Sequence, residues 1–445
     1  MIIISVIIFL LSLTIMVGVH EFGHFATAKK FGVYCREFAI GMGPKIWSKQ
    51  KGETTYSFRA IPMGGFVQMV GEDGELFKIS KDDEIWLIIN SENRISEISY
   101  QKPENPEAIF VKVIKFSKET EPMKLFYLHN NERRTSQTES LITCYDKDNS
   151  QEYIVANNRQ FNWLPPLKKI VVLTAGIFMN FILGFILVFA ATAINGVTVD
   201  TIISMDTAEL STNIGDRFEP NDEIIGINGV FFSNYEEMIR YVRARPGQMV
   251  NIQVERVINN RPTIIMLKRE IVAIAAQELT DEGINDFEYG ALQVKLQRSH
   301  TAFGKIISVA FEEYLGYFQY MFYVLGGIMS GTISLSSMSG FIGIAQLTNA
   351  VLTQETLAPS ELQRILETVA RMCNFIALLS VNLGVINLLP FPALDGGRVV
   401  FALYELITRR KPNAKLETYA NIIGFALIIV LTISITFMDI SRLFS

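Results

Sequence analysis

The residues best suited to chemistry are His20-Glu21-Phe22-Gly23-His24, which form the pattern H-E-x-x-H. On a helix, side chains four residues apart share a face, so His20 and His24 can direct two imidazoles at one metal ion. Glu21 lies beside them, where its carboxylate can take a proton from a water molecule at that metal. The pattern therefore predicts a zinc site of the metalloprotease type, with Glu21 as the catalytic base.

The sequence around this motif is that of a membrane span. Residues 1–19 carry no charged side chain, and neither do residues 25–28. Ionisable groups are costly inside a bilayer and usually mark function there. A signal peptide is the alternative, because Ala26-Thr27-Ala28 resembles a small-x-small cleavage site. The missing basic n-region and the length of the apolar run argue against it, so we expect a zinc site within a membrane helix.

A catalytic zinc ion needs a third protein ligand and keeps a fourth position for water. The candidate is Asp395, the first charge after an uncharged run over residues 372–394. An aspartate there could also simply mark the membrane interface. Its combination with a membrane-embedded H-E-x-x-H favours the ligand. The surrounding motif reads Asn387-Leu388-Leu389-Pro390-Phe391-Pro392-Ala393-Leu394-Asp395-Gly396-Gly397.

With both motifs intact, the chain resembles the site-2 protease family of intramembrane zinc metalloproteases. That family carries H-E-x-x-H on its first transmembrane helix and N-x-x-P-x-P-x-L-D-G-G near its third. The resemblance covers essentially the whole chain and points to the bacterial type with an extracytoplasmic PDZ domain. It implies Zn²⁺ as the cofactor, His20, His24 and Asp395 as its ligands, and Asn387 as a group that contacts substrate near the scissile bond.

The resemblance also implies partners. Family members cut single-span membrane proteins within the lipid bilayer, typically after an upstream site-1 protease has shortened the same substrate. Bacterial members act on anti-sigma factors or on signal-peptide remnants. From this resemblance we expect regulated intramembrane proteolysis in the bacterial cell membrane. Nucleic acid is not an expected partner, because the formal net charge of −5 provides no basic field for it.

Composition predicts membrane helices combined with water-exposed domains. Hydrophobic residues make up 49% of the 445 residues, a high share for a soluble protein and a low one for spans alone. The three cysteines, Cys35, Cys144 and Cys373, are far apart and form no C-x-x-C pair. They indicate neither a disulfide framework nor a cysteine zinc site.

The predicted fold class is an α-helical polytopic membrane protein with four transmembrane helices, within 1–30, 166–196, 369–396 and 417–440. Basic residues follow the first span, precede the second and fill the loop 397–416. By the positive-inside rule both termini are extracytoplasmic and that loop is cytoplasmic. Within the second span, Asn180, Gly176 and Gly184 suit close helix contact.

Residues 300–360 contain an uncharged stretch long enough for a fifth span. Asp395 must meet His20 and His24 at the cytoplasmic side, which leaves no room for an extra crossing. Two glutamates, Glu312 and Glu313, precede a stretch rich in Gly and Ser. We therefore expect an interfacial helix and a re-entrant loop here.

The segments between spans are expected to be mainly β-structure. Residues 31–70 predict a hairpin resembling the family's membrane-associated β-loop, whose edge could pair with an unwound substrate segment. An ordinary surface hairpin is the alternative. Residues 71–165 predict a β-rich cytoplasmic insert, similar to one in Gram-positive members. Residues 199–272 resemble a PDZ-like α+β domain on the extracytoplasmic side. No glycine-rich carboxylate loop is recognisable at 206–213, so a steric gate and a peptide-binding module both remain open.

Two other functions compete with proteolysis. An ion or proton transporter would also place His, Glu and Asp in the membrane, but it needs a polar path through several spans. The second and fourth predicted spans, 170–193 and 419–438, contain no ionisable side chain except Tyr419. A catalytically inactive membrane chaperone is the second alternative, and the intact Glu21 argues against it.

Overall fold

The computed structural model describes residues 2–72, 79–119, 122–148, 151–203, 218–219, 221–232, 235–280, 283–292, 296–299, 303–334, 339–354 and 360–444. Packing divides the chain into two compact units. The first contains Met1–Ser5, Gly184–Val381 and Ile435–Ser445, and the second contains Val6–Leu183 and Asn382–Ser434.

Within the described residues the α-helices are α1 (Ile2–Lys30), α2 (Pro166–Asn195), α3 (Tyr235–Arg243), α4 (Phe303–Ser330), α5 (Phe341–Thr353), α6 (Glu361–Leu388), α7 (Asp395–Thr408) and α8 (Ala414–Phe444). In this part of the chain four of them, α1, α2, α6 and α8, are long and apolar enough to cross a membrane. Each has at least 28 residues, which at 1.5 Å per residue exceeds the roughly 30 Å of a bilayer core. The described residues therefore contain four candidate spanning helices, the number predicted.

The helix ends around the predicted third span differ from the predicted segment bounds. The span was expected within 369–396, whereas α6 begins at Glu361 and ends at Leu388, ahead of a bent loop over residues 389–394. Pro390 and Pro392 explain this end, because proline cannot continue a helix. The expected loop over 397–416 contains most of α7. Of the basic residues in this stretch, Arg398 lies within α7, Arg409, Arg410 and Lys411 follow it, and Lys415 lies at the start of α8.

The hairpin predicted from alternation is present in the second unit. Strand β1 (Cys35–Lys51) pairs antiparallel with β2 (Thr54–Met69), and Gly41 and Gly43 adopt positive φ where the register shifts. Large apolar side chains are exposed along it, namely Met42, Ile46, Trp47, Phe58 and Ile61. An exposed apolar surface of this kind is typical of an interaction site.

The insert is a six-stranded sheet built from β3 (Glu84–Ile89), β4 (Arg94–Ser99), β5 (Ile109–Ser117), β6 (Lys124–His129), β7 (Glu132–Tyr145) and β8 (Gln151–Val155). The strand order is β4-β3-β5-β6-β7-β8. An additional parallel pairing between β4 and β7 closes five strands into a ring around one apolar core. Closure removes free sheet edges, which sequence alternation alone did not indicate.

The first unit contains a second sheet, with order β13-β12-β10-β9-β16 and the short β11 paired to β10. Its strands are β9 (Val197–Ile203), β10 (Glu223–Ile227), β11 (Val230–Phe231), β12 (Met249–Ile258), β13 (Arg261–Glu270) and β16 (Leu296–Ser299). Met238 and Val242 of α3 pack in its core. The predicted boundary at 272 is too short, because β16 returns to pair with β9. Residues 206–213, where the sequence shows no recognisable glycine-rich carboxylate loop, lie outside the described residues.

Two further features follow that sheet in the first unit. Strands β14 (Val272–Thr280) and β15 (Gly283–Ala291) form a separate hairpin. Helix α4 stays helical to Ser330, into the stretch expected to form a re-entrant loop. At the start of α5, the backbone N–H groups of Gly340 and Gly343 each donate to Asp439 of α8 at 2.9 Å. The carboxylate thus satisfies helix-terminal donors that have no partner within α5.

The β1–β2 hairpin contains a buried carboxylate whose ionisation should stabilise it. Glu37 accepts hydrogen bonds from Ser57 at 2.5 Å and Arg59 at 2.8 Å, and pairs with Lys45 at 3.1 Å. Burial acts to raise the pKa of Glu37, but these donors outweigh burial and lower it. Stability from this group is therefore present above the ordinary glutamate pKa and is lost as pH falls through the lowered value.

We expect Glu37→Gln to lower the free energy of unfolding at pH 7 by about 1–3 kcal/mol, because charge-assisted hydrogen bonds are lost. Thermal unfolding of the detergent-solubilised protein between pH 3 and pH 7 measures this. The gap to the unsubstituted protein should shrink below about pH 4. Glu132→Gln is the control, since its ion pair with Arg134 is exposed and should contribute little. A gap that does not change with pH would contradict the prediction.

Candidate metal centre and active site

Three predicted ligands, His20, His24 and Asp395, meet in the second unit although His20 and Asp395 are 375 residues apart in sequence. Asp395 Oδ2 lies 2.9 Å from His20 Nε2 and 3.2 Å from His24 Nε2. The two Nε2 atoms are 3.1 Å apart. Both histidines are buried. Among the residues that the structure describes, no second group of three or more His, Cys, Asp or Glu side chains meets in this way.

This arrangement fits a zinc ion. Two imidazole nitrogens and one carboxylate oxygen form a donor set found in catalytic zinc sites. Ligands at about 2.0–2.2 Å from a tetrahedral ion lie roughly 3.3 Å from each other. The observed separations of 2.9, 3.1 and 3.2 Å are slightly smaller. A small outward movement of the three side chains would therefore accommodate the ion.

Close contact between α1 and α2 holds the histidines in place. A methyl group added at Gly176 would lie 2.7 Å from His24 Cε1 and 2.9 Å from His20 Cε1. One added at Gly23 would lie 2.8 Å from the backbone nitrogen of Gly176. All three separations are too short for contacts between non-bonded heavy atoms. The two glycines thus let the α2 backbone approach the metal-binding face of α1 directly.

The outer nitrogen of each imidazole contacts α2. His24 Nδ1 donates to the backbone carbonyl of Val172 at 2.8 Å, and His20 Nδ1 lies 3.1 Å from the side-chain amide of Asn180. Residues 172, 176 and 180 are spaced four apart and share one face of α2. From the sequence, Asn180 was expected only to make close helix contacts. The only sequence feature that points to its contact with His20 is its position four residues after Gly176 in an uncharged span.

Asp395 is the first residue of α7, and the loop before it is folded tightly against that helix. A methyl group at Gly396 would lie 2.5 Å from the carbonyl oxygen of Leu388. One at Gly397 would lie 2.8 Å from the carbonyl carbon of Phe391. The pair of glycines after the aspartate is therefore required by backbone contact. This packing fixes where the carboxylate of Asp395 emerges.

Two further contacts hold the loop and α7. Asn421 of α8 accepts a hydrogen bond from the backbone N–H of Ala393 at 3.2 Å, and Ala393 itself has a positive φ of 74°. Arg398, one turn into α7, forms an ion pair with Glu72. These contacts restrain the ligand from both sides in sequence.

Glu21 lies against strand β2. Its Oε2 accepts a hydrogen bond from the backbone N–H of Val67 at 3.2 Å, and its Cγ lies in ordinary van der Waals range of a methyl group added at Gly65. Asn387 lies on the last turn of α6 and is partly exposed. Within the described part of the chain, no hydrogen bond joins Asn387 to the three ligands. The structure thus gathers three predicted site residues, sets Glu21 beside the hairpin, and leaves Asn387 at the end of a helix.

The contact at Gly176 gives a testable prediction. Gly176→Ala should displace one or both histidines and remove most bound zinc, because its methyl group would overlap both rings. Metal content of the purified protein, measured by mass spectrometry, checks this. Gly18→Ala is the matched control on α1, since nothing lies within 4 Å of its added methyl group. Unchanged zinc content in Gly176→Ala would show that the helices are not this close.

Comparison with known proteins agrees with this geometry. The profile of peptidase family M50 matches residues 8–431. The chain is 33% identical to the zinc metalloprotease RasP of Shouchella clausii over 445 residues, or 98% of this chain and 99% of that protein. It is 30% identical to the regulator of sigma-W protease RasP of Bacillus subtilis over 442 residues, or 99% of each. Zinc metalloprotease RasP of Bacillus licheniformis is also 30% identical, over 99% of each chain.

The family profile covers both motifs, at His20–His24 and at Asn387–Gly397. The relatives align from end to end, so the match is not confined to one domain. The chain therefore belongs to peptidase family M50, the site-2 protease family, and is a zinc metalloprotease with several membrane-spanning helices.

Proposed function

We propose that this protease hydrolyses peptide bonds within the transmembrane segments of single-span membrane proteins. The observation that carries the proposal is the meeting of the buried His20 and His24 with the partly buried Asp395, with both histidines on an apolar helix long enough to cross a membrane. Hydrolytic groups placed in such a helix can reach only substrates that enter the same lipid layer. Ionisable groups are costly in a membrane helix, so their presence there indicates a function inside the bilayer.

We assign His20, His24 and Asp395 as zinc ligands and Glu21 as the general base. Zinc, when bound by these ligands, supplies a Lewis acid that makes water a nucleophile at neutral pH. Glu21 takes the proton of the attacking water on its carboxylate and later delivers it to the leaving amine. The backbone N–H of Val67 orients that carboxylate. Asn387 hydrogen-bonds the substrate backbone near the bond that is cut.

The β1–β2 hairpin is proposed to receive the substrate. A transmembrane helix must unwind before its peptide bonds can be attacked, and its free N–H and C=O groups then need partners. A strand edge next to Glu21 provides such partners through β-augmentation. The exposed apolar side chains of the hairpin, including Trp47 and Phe58, would at the same time contact lipid. This supports a membrane-associated β-loop rather than an ordinary surface hairpin.

The proposed orientation in the membrane rests on the charge pattern, and the proposed substrates rest on the name of one relative. The basic residues around α1, α2 and α7 favour a cytoplasmic insert at 71–165, with both termini and the PDZ-like domain extracytoplasmic. The Bacillus subtilis relative is named a regulator of sigma-W protease. We propose anti-sigma factors as one substrate class and signal-peptide remnants as another. An upstream site-1 protease would first remove the extracytoplasmic part of an anti-sigma factor.

Two substitutions separate metal binding from proton transfer. Glu21→Gln should keep zinc and fold but lower cleavage by at least about 10²–10⁴-fold, because general acid–base catalysis is lost. Asp395→Ala should lose most of the zinc as well as cleavage. A reconstituted assay with one labelled single-span substrate, together with metal analysis, measures both. Undiminished cleavage by Glu21→Gln, or full zinc occupancy in Asp395→Ala, would overturn the assigned roles.

The proposed gate can be removed cleanly because the domain begins and ends on paired strands. Val197 of β9 pairs with Ser299 of β16, so a linker of about four flexible residues could replace residues 198–298. If the domain excludes bulky ectodomains, this deletion should permit cleavage of untrimmed substrates. If it recruits substrate, the deletion should instead reduce cleavage of trimmed ones. Equal rates on both substrates before and after deletion would exclude both roles.

A further inference from the structure

We propose that Asn180 is a positioning residue that holds the His20 imidazole with its proton on Nδ1, so that Nε2 presents a lone pair to zinc. The inference rests on the proposed role of His20 as a ligand. Asn180 is completely buried, in the middle of α2, and its side-chain amide is 3.1 Å from His20 Nδ1. Both residues belong to the second unit, where the three ligands meet.

The need for such a residue follows from imidazole chemistry. A neutral imidazole has one protonated nitrogen and one with a lone pair, and only the second can bind a metal. The partner of the outer nitrogen decides which tautomer forms. For His24 this partner is the carbonyl of Val172, an acceptor only, so Nδ1 must carry the proton. Nε2 of His24 is then the ligand atom, as the geometry requires.

His20 has a side chain in the corresponding place. The structure places Nδ2 of the Asn180 carboxamide 3.1 Å from His20 Nδ1. Half a turn about the last side-chain bond exchanges this NH₂ group for Oδ1, a group of almost equal size. When Nε2 of His20 faces the metal as an acceptor, Nδ1 is a donor and the amide must present Oδ1. An apolar residue at 180 would leave this N–H buried without a partner, which is unfavourable.

The position of Asn180 suits this role better than helix packing alone. Val172, Gly176 and Asn180 lie at intervals of four on one face of α2. This face supplies an acceptor for His24, space for both rings and, with the Asn180 amide turned as proposed, an acceptor for His20. Asn374 and Asn382 of α6 are also polar residues in an apolar helix, but within the described residues neither contacts a metal ligand. They serve as comparators for an asparagine in a membrane helix.

The test measures zinc affinity of the full-length protein in detergent by competition with a chelator. Asn180→Leu should weaken zinc binding by about 10–100-fold, the usual effect of losing such a partner. Asn180→Asp, which has the same shape and can only accept, should retain at least the original affinity. Asn374→Leu should change nothing. The absorption spectrum of the Co²⁺-loaded protein should change in Asn180→Leu and be restored in Asn180→Asp.

Each result decides the matter. Zinc affinity within twofold of the original in Asn180→Leu would overturn the inference, and so would equal losses in Asn180→Leu and Asn180→Asp, which would indicate packing. If Asn180→Leu does not give monodisperse protein, Asn180→Ala takes its place in the same comparison. His20→Ala separates this inference from the ligand assignment. Retained zinc in His20→Ala would remove the assignment itself, whereas loss there with no loss in Asn180→Leu would remove only the role of Asn180.

Discussion

The two buried imidazoles of His20 and His24 and the partly buried carboxylate of Asp395 lie among apolar helices, where their polar atoms need partners. In the absence of water, an unsatisfied polar group costs several kcal/mol in hydrocarbon. The inner atoms of His20, His24 and Asp395 face each other, where a cation can neutralise and bind them. The outer nitrogens of both histidines reach α2. The rest of the second unit can be understood as the means of bringing these partners within reach.

These partners come within hydrogen-bond distance because the helix backbones approach each other more closely than larger side chains would permit. Gly23 and Gly176 allow α1 and α2 to touch, and Gly396 and Gly397 allow α7 to begin directly under the loop that precedes it. Each added methyl group would meet backbone or a ligand ring rather than a flexible side-chain end. Small residues are the usual means of close packing in membranes, where no hydrophobic driving force acts between helices. Here the same packing also positions ligands.

Local spacing made part of this site predictable and concealed the rest. H-E-x-x-H encodes its own geometry, because a helix alone places residues four apart on one face. Asp395 could be added only through its motif and family resemblance, since nothing local joins it to residue 20. The partners on α2 depend on which helices touch, and that is a non-local property. For the same reason alternation predicted the strands of the insert but not the β4–β7 pairing that closes them.

The β1–β2 hairpin and the residues directly after it contact both Glu21 and the helix that begins with Asp395. Its second strand donates a backbone N–H to Glu21, and Glu72, just past the end of that strand, pairs with Arg398, three residues after Asp395. The base and one ligand are thus restrained by the same short segment, although they come from opposite ends of the chain. A hairpin edge that accepts an additional strand cannot shift without acting on Glu21 and on α7 together. If the hairpin receives substrate as proposed, substrate binding and the positions of Glu21 and Asp395 are therefore coupled.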